Sequence, residues 1–349
     1  MNIIKNNNLS EDNILTSFNF ARKSDLVFSE TIEKDEYKKL KNLNDKIIFS
    51  DSKKVFYKLN TYELKENQII FCNNYLLENL FYSLKNCKFK NIKLITHQTD
   101  LSINKKLFRK KPNCISDWFS INTNYKNKNL FPIPIGLSNN YSPKNLNFYD
   151  YQNIHSIPFI KKENKVYVNF NKNTNFKKRS NLYNQFLNNE WFDVDEPNLP
   201  LNLYIQKLNN YKYILCPEGN GVDTHRIWES LYLGSIPIVK RHKNFQSFED
   251  LPIFQVDDFN EINMNSLETF SKNLDVEVNY KKLTINHWIE FINSKKISSK
   301  NLTFKYVESD YITNYYINNF LYKEKFKSRM KKVQYFFRRL RKLLLPVKK

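Results

Sequence analysis

Glycine is rare in this chain: 349 residues contain four, and three of them, Gly219, Gly221 and Gly234, lie close together. Only glycine reaches positive φ without penalty and lets another group approach the main chain closely, so this stretch predicts a loop whose backbone is a working surface. Tyr213 to Cys216 is a short apolar run suited to a buried strand, and Pro217 to Val222 breaks it with turn residues. Ile227, Trp228 and Leu231 then give one apolar face to a helix that Asp223 or Thr224 can cap and Gly234 can close in the left-handed conformation. Ile236 to Val239 reads as the next strand. Strand, loop, helix and strand make a βαβ unit, which requires a parallel sheet and a right-handed crossover. Ligands bind outside the carboxyl ends of such strands, where Gly219 to His225 falls.

The residue types in this loop point to an anion. A helix start offers free N–H groups, and Arg226 in its first turn adds a planar fork that matches phosphate, so a diphosphate fits. Glu229 follows Arg226 by one turn and His225 by four residues, which puts all three on one face with Trp228 behind them. A carboxylate there suits the vicinal hydroxyls of a ribose. The competing reading is an exposed Arg226–Glu229 ion pair, a solvated His225 and glycines that only shape a turn. The clustering of scarce glycine with Pro, His, Arg, Trp and Glu favours the ligand reading. Gly219, Asn220, Gly221, Asp223, His225, Arg226 and Glu229 are therefore the candidate ligand-site residues. Arg179, at the end of the polar run that starts at Asn171, is read as a second diphosphate ligand or as an exposed basic helix start.

A second α/β rhythm precedes it. Gln68 to Cys72 predicts a strand, Asn74 to Asn86 a helix with Leu76, Leu80 and Leu84 on one stripe, and Ile92 to Thr96 the following strand. His97 and Asp100 lie at the carboxyl end of that strand, where a general base would sit. Their alternatives are a hydrogen-bonded structural histidine and a helix N-cap. Trp118 and Phe119 read as core. Gly136 reads as relief of a backbone clash. Asn139 to Glu163 loses periodicity and reads as a linker, Lys165 to Phe170 and Ile253 to Val256 as strands, and Asp257 and Asp258 as a solvated turn or cap.

Cys216-Pro-Glu-Gly-Asn-Gly-Val-Asp-Thr-His-Arg-Ile-Trp-Glu-Ser-Leu-Tyr-Leu-Gly-Ser-Ile-Pro-Ile-Val239 resembles the donor-site signature of exostosin-like glycosyltransferases, in particular the branch with the ribitol xylosyltransferases. Leu94-Ile-Thr-His-Gln-Thr-Asp100 and Phe131-Pro-Ile-Pro-Ile-Gly-Leu137 resemble that family's "ITHNSD" and "PIPIGL" stretches, with Gln98-Thr99 in place of the usual Asn-Ser. The resemblance spans roughly residues 65 to 260. It implies a GT-B fold, two Rossmann-like domains facing a central cleft, with an acceptor on the first, a nucleotide-sugar donor on the second and no obligatory metal. It also implies that Glu229 holds the donor ribose and Arg226 the diphosphate.

Composition sets the remaining expectations. The length suits two domains, read as 1–150 and 151–321, followed by a basic tail over 322–349. Cys72, Cys87, Cys114 and Cys216 lack CxxC spacing and read as reduced thiols. No segment is apolar and long enough to span a bilayer, and the polar start lacks a signal core. From Tyr322 to Lys349, twelve Lys and Arg against one Glu place +11 of the chain's +21 in the tail. Val333, Phe337, Leu340 and Leu344 recur at helical spacing beside Arg338, Arg339, Arg341 and Lys342, a basic amphipathic helix. Such a helix suits an anionic membrane surface, binding through 326–349. RNA binding and packing across the domain junction are its alternatives.

The expectation is a cytoplasmic, peripherally membrane-associated hexosyl- or pentosyltransferase. It takes a nucleotide diphosphate sugar, uridine first and guanine as in fucosyltransferase-like enzymes second. The sugar goes to a hydroxyl of a glycan or lipid-linked acceptor with inversion, and the enzyme has no resident cofactor or metal. A non-catalytic nucleic-acid-binding protein is the rival class.

Overall fold

The computed structural model describes residues 9–40, 44–142, 145–155, 161–274, 280–298, 300 and 302–344; within 153–155, 331–332 and 334–344 it describes the backbone alone. The fold is mixed α/β and is organised by two sheets. Strands β1 (Leu26–Glu33), β2 (Asp45–Ser50), β3 (Lys54–Leu59), β5 (Ile69–Asn73), β6 (Ile92–His97), β7 (Ile115–Ser120) and β8 (Leu130–Pro132) form the first, in the order β2-β3-β1-β5-β6-β7-β8. Strands β1, β5, β6, β7 and β8 run parallel, while β3 joins β1 and β2 antiparallel. Strands β9 (Glu163–Val168), β10 (Phe192–Val194), β11 (Tyr211–Leu215), β12 (Ile236–Lys240) and β13 (Phe254–Val256) form the second sheet, all parallel, in the order β10-β9-β11-β12-β13. A separate two-stranded ladder pairs β4 (Thr61–Lys65) with β14 (Thr303–Val307).

Alternation along the central strands explains why both sheets are buried on two faces. In β11, Tyr213 and Leu215 enter one apolar cluster with Val166 and Val168 of β9, while Ile214 and Cys216 enter another with Tyr167. In β5, Ile70 and Cys72 face away from Ile69 and Phe71 in the same manner. A period of two combined with helices on each face requires this pattern of continuous apolar strands. The cluster that holds Ile69, Phe71 and Phe119 of the first sheet also holds Ile214, Trp228 and Tyr232 of the second part, so one apolar core joins them. Trp118 and Phe119 are core residues as expected.

Six helices position the site: α1 (Leu77–Ser83), α2 (Phe176–Phe186), α3 (Leu201–Asn210), α4 (His225–Tyr232), α5 (Ile285–Asn293) and α6 (Asp310–Leu344). The first is shorter than the stripe of Leu76, Leu80 and Leu84 suggested, because Asn73 caps a single 3₁₀ turn over Asn74–Leu76 before it. All three leucines are buried nonetheless. The expected linker holds a helix over Phe148–His155. At Gly136, φ is +68° and an added Cβ would stand 2.2 Å from the Leu15 carbonyl oxygen, so the position admits only glycine. Asp258 accepts from the Asn260 N–H, as a cap does.

Ahead of the expected boundary at 321, the chain returns to the first part. Strand β14 zips onto β4, and Glu308 after it forms a buried ion pair with Lys58. Asn79 Nδ2 and Thr313 Oγ1 donate to the same carboxylate at 2.6 and 2.7 Å. Three partners leave little of this buried charge unsatisfied, and they fix the start of α6 against the first sheet.

Candidate functional site

The strand order of the second sheet reverses between β9 and β11. Loops leaving adjacent strands toward opposite sides open a crevice at such a point. Here it encloses about 710 Å³. Gly219, Asn220, Gly221 and Asp223 line it from the loop after β11, together with His225, Arg226 and Glu229 of α4. Arg179 of α2 joins them, and Asp100 reaches the same cleft from the end of β6 in the first sheet. The structure thus brings together nine of the ten site residues expected from the sequence.

His97 is the exception. Its ring is 1% exposed and sits in the core near Phe20 and Phe71. Its Nδ1 accepts from the Gln98 N–H at 2.8 Å, so Nε2 carries the proton and donates to the Pro134 carbonyl at 3.2 Å. Burial drives its pKa down to about 3. With both nitrogens occupied and no access to the cleft, His97 is a structural residue. Asp100 is exposed in the cleft, and its carboxylate makes no hydrogen bond or ion pair among the described residues. The next helix is capped by Asn104 instead.

The two loop glycines do not use positive φ; Gly136 and Gly234 do. At Gly221 the space a Cβ would need is taken by Asn122, whose amide lies 2.6–2.9 Å from it. Asn122 Oδ1 in turn accepts from the Asp223 N–H at 2.9 Å. Gly221 therefore makes room for a side chain from the segment after β7, a cause that the sequence reading did not include. A Cβ at Gly219 would meet Arg179, Thr224 and Thr174 at ordinary distances of 3.5–3.7 Å. That position has room for the methyl group of alanine.

Arg179 grips the loop from below. Its Nε donates to the Glu218 carbonyl at 2.8 Å, Nη2 to the Pro217 carbonyl at 2.7 Å, and Nη1 to the Asn171 carbonyl at 3.2 Å. Burial, and then the Arg226 guanidinium beside it, lower its pKa to about 10. Two guanidiniums so close repel each other, and an anion between them removes the penalty. Arg226 Nε donates to the Tyr204 hydroxyl at 3.0 Å, which itself donates to Glu229 Oε2 at 2.8 Å. Glu229 Oε1 accepts from the Leu146 N–H at 3.2 Å. A carboxylate has about four lone-pair sites, so two remain for a diol.

Thr224 holds the N-cap of α4, yet its side chain makes no capping bond and its Oγ1 is buried without a partner. The first-turn N–H groups thus lack a side-chain acceptor at the cleft, which is an anion-binding arrangement. Asp223, the other cap candidate, accepts from the Ile135 N–H and from Trp228 Nε1 instead, both at 2.8 Å. His225 Nδ1 donates to the Gly136 carbonyl at 2.8 Å.

Tyr204, Asn122 and Asn244 escaped the sequence reading. Tyr204 lies on the apolar stripe of α3 with Ile205 and Leu208 and reads as core. Asn244 Oδ1 takes the Thr123 N–H at 2.9 Å, a tie between chain segments that no local pattern signals. Among the described residues no group of three His, Cys, Asp or Glu is arranged to hold a metal. The chain matches no protein-family model and no curated protein.

Proposed function

We propose that the protein is a glycosyltransferase of GT-B architecture that takes a sugar from a nucleotide diphosphate donor. The observation that carries this reading is the cleft itself, in which Arg179, Arg226, the uncapped start of α4 and Glu229 face Asp100 across the junction with the first sheet. The diphosphate lies against Arg226 and the helix start, where fixed positive charge receives the charge that develops on the leaving group. Glu229, held by Tyr204 and Leu146, accepts the ribose hydroxyls. The acceptor oxygen attacks the anomeric carbon and the bond to the diphosphate oxygen breaks. Asp100 takes the acceptor's proton, and the single displacement inverts the configuration.

The basic tail supports a peripheral membrane association. Arg329 to Lys349 holds nine Lys and Arg and no acidic residue, and each such charge contributes about 1 kcal/mol at an anionic leaflet. Among the described residues no helix is long and apolar enough to cross a membrane. Val333 is exposed, whereas the side chains of Phe337, Leu340 and Leu344 and of the neighbouring arginines lie outside the described residues.

Calorimetric titration of the full chain with uridine and guanosine diphosphates tests the donor site. Turnover of Asp100→Asn tests the base: it should keep nucleotide affinity and lose about 10²–10⁴-fold in rate. His97→Asn, by contrast, should lose stability without shifting the pH profile of the remaining activity. Nucleotide binding that is absent, or insensitive to Arg226→Ala, would refute the reading.

A further inference from the structure

A second cavity of about 1010 Å³ adjoins the cleft and shares Asp100 and Asn220 with it. One wall is the turn that enters α1, and the other is the face of α6 carrying Tyr316, Phe320, Lys323 and Lys327. That face is anchored: the Phe320 ring meets Phe56 and Tyr75 at 5.2 Å each, and Lys327 Nζ lies 4.7 Å from the centre of the Tyr75 ring. Asn74 lines the groove at 3% exposure, and neither its Oδ1 nor its Nδ2 has a hydrogen-bond partner. A buried amide with both functions unpaired is costly, and a ligand that supplies both partners removes the cost.

We propose that this groove is the acceptor subsite and that it takes an uncharged saccharide; the proposal rests on the glycosyltransferase reading above. Asn74 presents one donor and one acceptor, the complement of a hydroxyl, which is both. Tyr75 and Leu101, 44% and 43% exposed, offer apolar surface to the C–H faces of a sugar ring. The groove's charge is largely neutralised within the protein, since Glu78 pairs with Lys110 and Glu324 with Lys327, each at 2.7 Å. A sugar lying there extends to Asp100 at the shared edge, where its hydroxyl would meet the donor. The first half of α6 is thus part of the substrate site, and the boundary between catalytic body and tail lies beyond Ser328.

The test is saturation-transfer NMR on the full chain with methyl β-xylopyranoside, methyl β-glucopyranoside and cellobiose, beside calorimetry with uridine and guanosine diphosphates. At least one sugar should receive saturation, and Asn74→Leu and Leu101→Glu should each weaken its binding at least tenfold while nucleotide affinity stays within twofold. Asn74→Leu should also keep or raise the melting temperature, because it removes an unpaired buried amide; a fall would mark Asn74 as structural and overturn the proposal. Saturation of none of the sugars, binding unchanged in both variants, or saturation of tetraglycine in their place would overturn it as well. Sugar binding that persists where neither nucleotide binds would sink the donor reading and leave the groove standing.

Discussion

The Asp223 carboxylate accepts a hydrogen bond from the Ile135 backbone N–H at 2.8 Å, which ties the loop before α4 to the stretch that follows β8. Its other oxygen takes Trp228 Nε1 at the same distance. The cleft therefore depends on a carboxyl group that is 2% exposed, and burial raises its pKa from 3.8 to about 7. Because the folded state holds this proton more tightly than the unfolded chain, the contribution is stabilising at low pH. It is lost as the pH rises from 3.8 through about 7. Denaturant unfolding at pH 5.5 and 8 should show wild type losing stability between the two by a margin that Asp223→Asn does not share. Equal pH dependence in the two proteins would reject this linkage.

Tyr204 couples Arg226 to Glu229, so the two charged residues should fail together at the ligand while the fold persists. Glu229→Gln removes the charge and replaces one of its two acceptor oxygens with an N–H donor, and Arg226→Ala removes the guanidinium. Each should weaken nucleoside diphosphate binding at least tenfold, about 1.4 kcal/mol, as read by calorimetry. A double variant no worse than either single one would fit a coupled pair.

Gly219 and Gly221 should separate cleanly. Gly221→Ala drives a methyl group into the Asn122 amide and should cost about 1–3 kcal/mol of stability, partly recovered in a Gly221→Ala, Asn122→Gly double variant that also suits the positive φ of 56° at position 122. Gly219→Ala meets only ordinary contacts and should unfold like wild type, but bind diphosphate more weakly because the methyl group covers the loop. Urea unfolding and calorimetry on both variants decide the matter.

The tail can be cut at two places with different results. Truncation after Ser328 removes nine basic residues and should release the protein from vesicles containing phosphatidylserine, with turnover within a few-fold of the full chain. Salt should weaken the intact protein's binding, since the attraction is screened within about 8 Å at physiological ionic strength. Truncation after Tyr322 also removes Lys323, Glu324 and Lys327 from the groove wall and should reduce transfer as well. Vesicle binding that survives the first cut would assign it to another surface.

What the sequence determined by itself was local and periodic. The apolar run at Tyr213, the loop glycines, the stripe of Ile227, Trp228 and Leu231 and the closing Gly234 specify strand, loop, helix and strand, because each depends on neighbours within a few positions. The same locality put Arg226, His225 and Glu229 on one helix face. Tertiary structure decided what depends on residues far apart in the chain. His97 and Asp100 are three positions apart at one strand end, yet one is in the core and the other in the cleft, because the chain around Pro134 covers the first. Gly221 makes room for Asn122, Asp223 ties Ile135 to Trp228 of the helix that follows it, and Glu308 pairs with Lys58 across 250 positions. Hydrogen bonds and burial between distant segments follow no period in the sequence, so only the packed chain reveals which polar groups remain unpaired for a substrate.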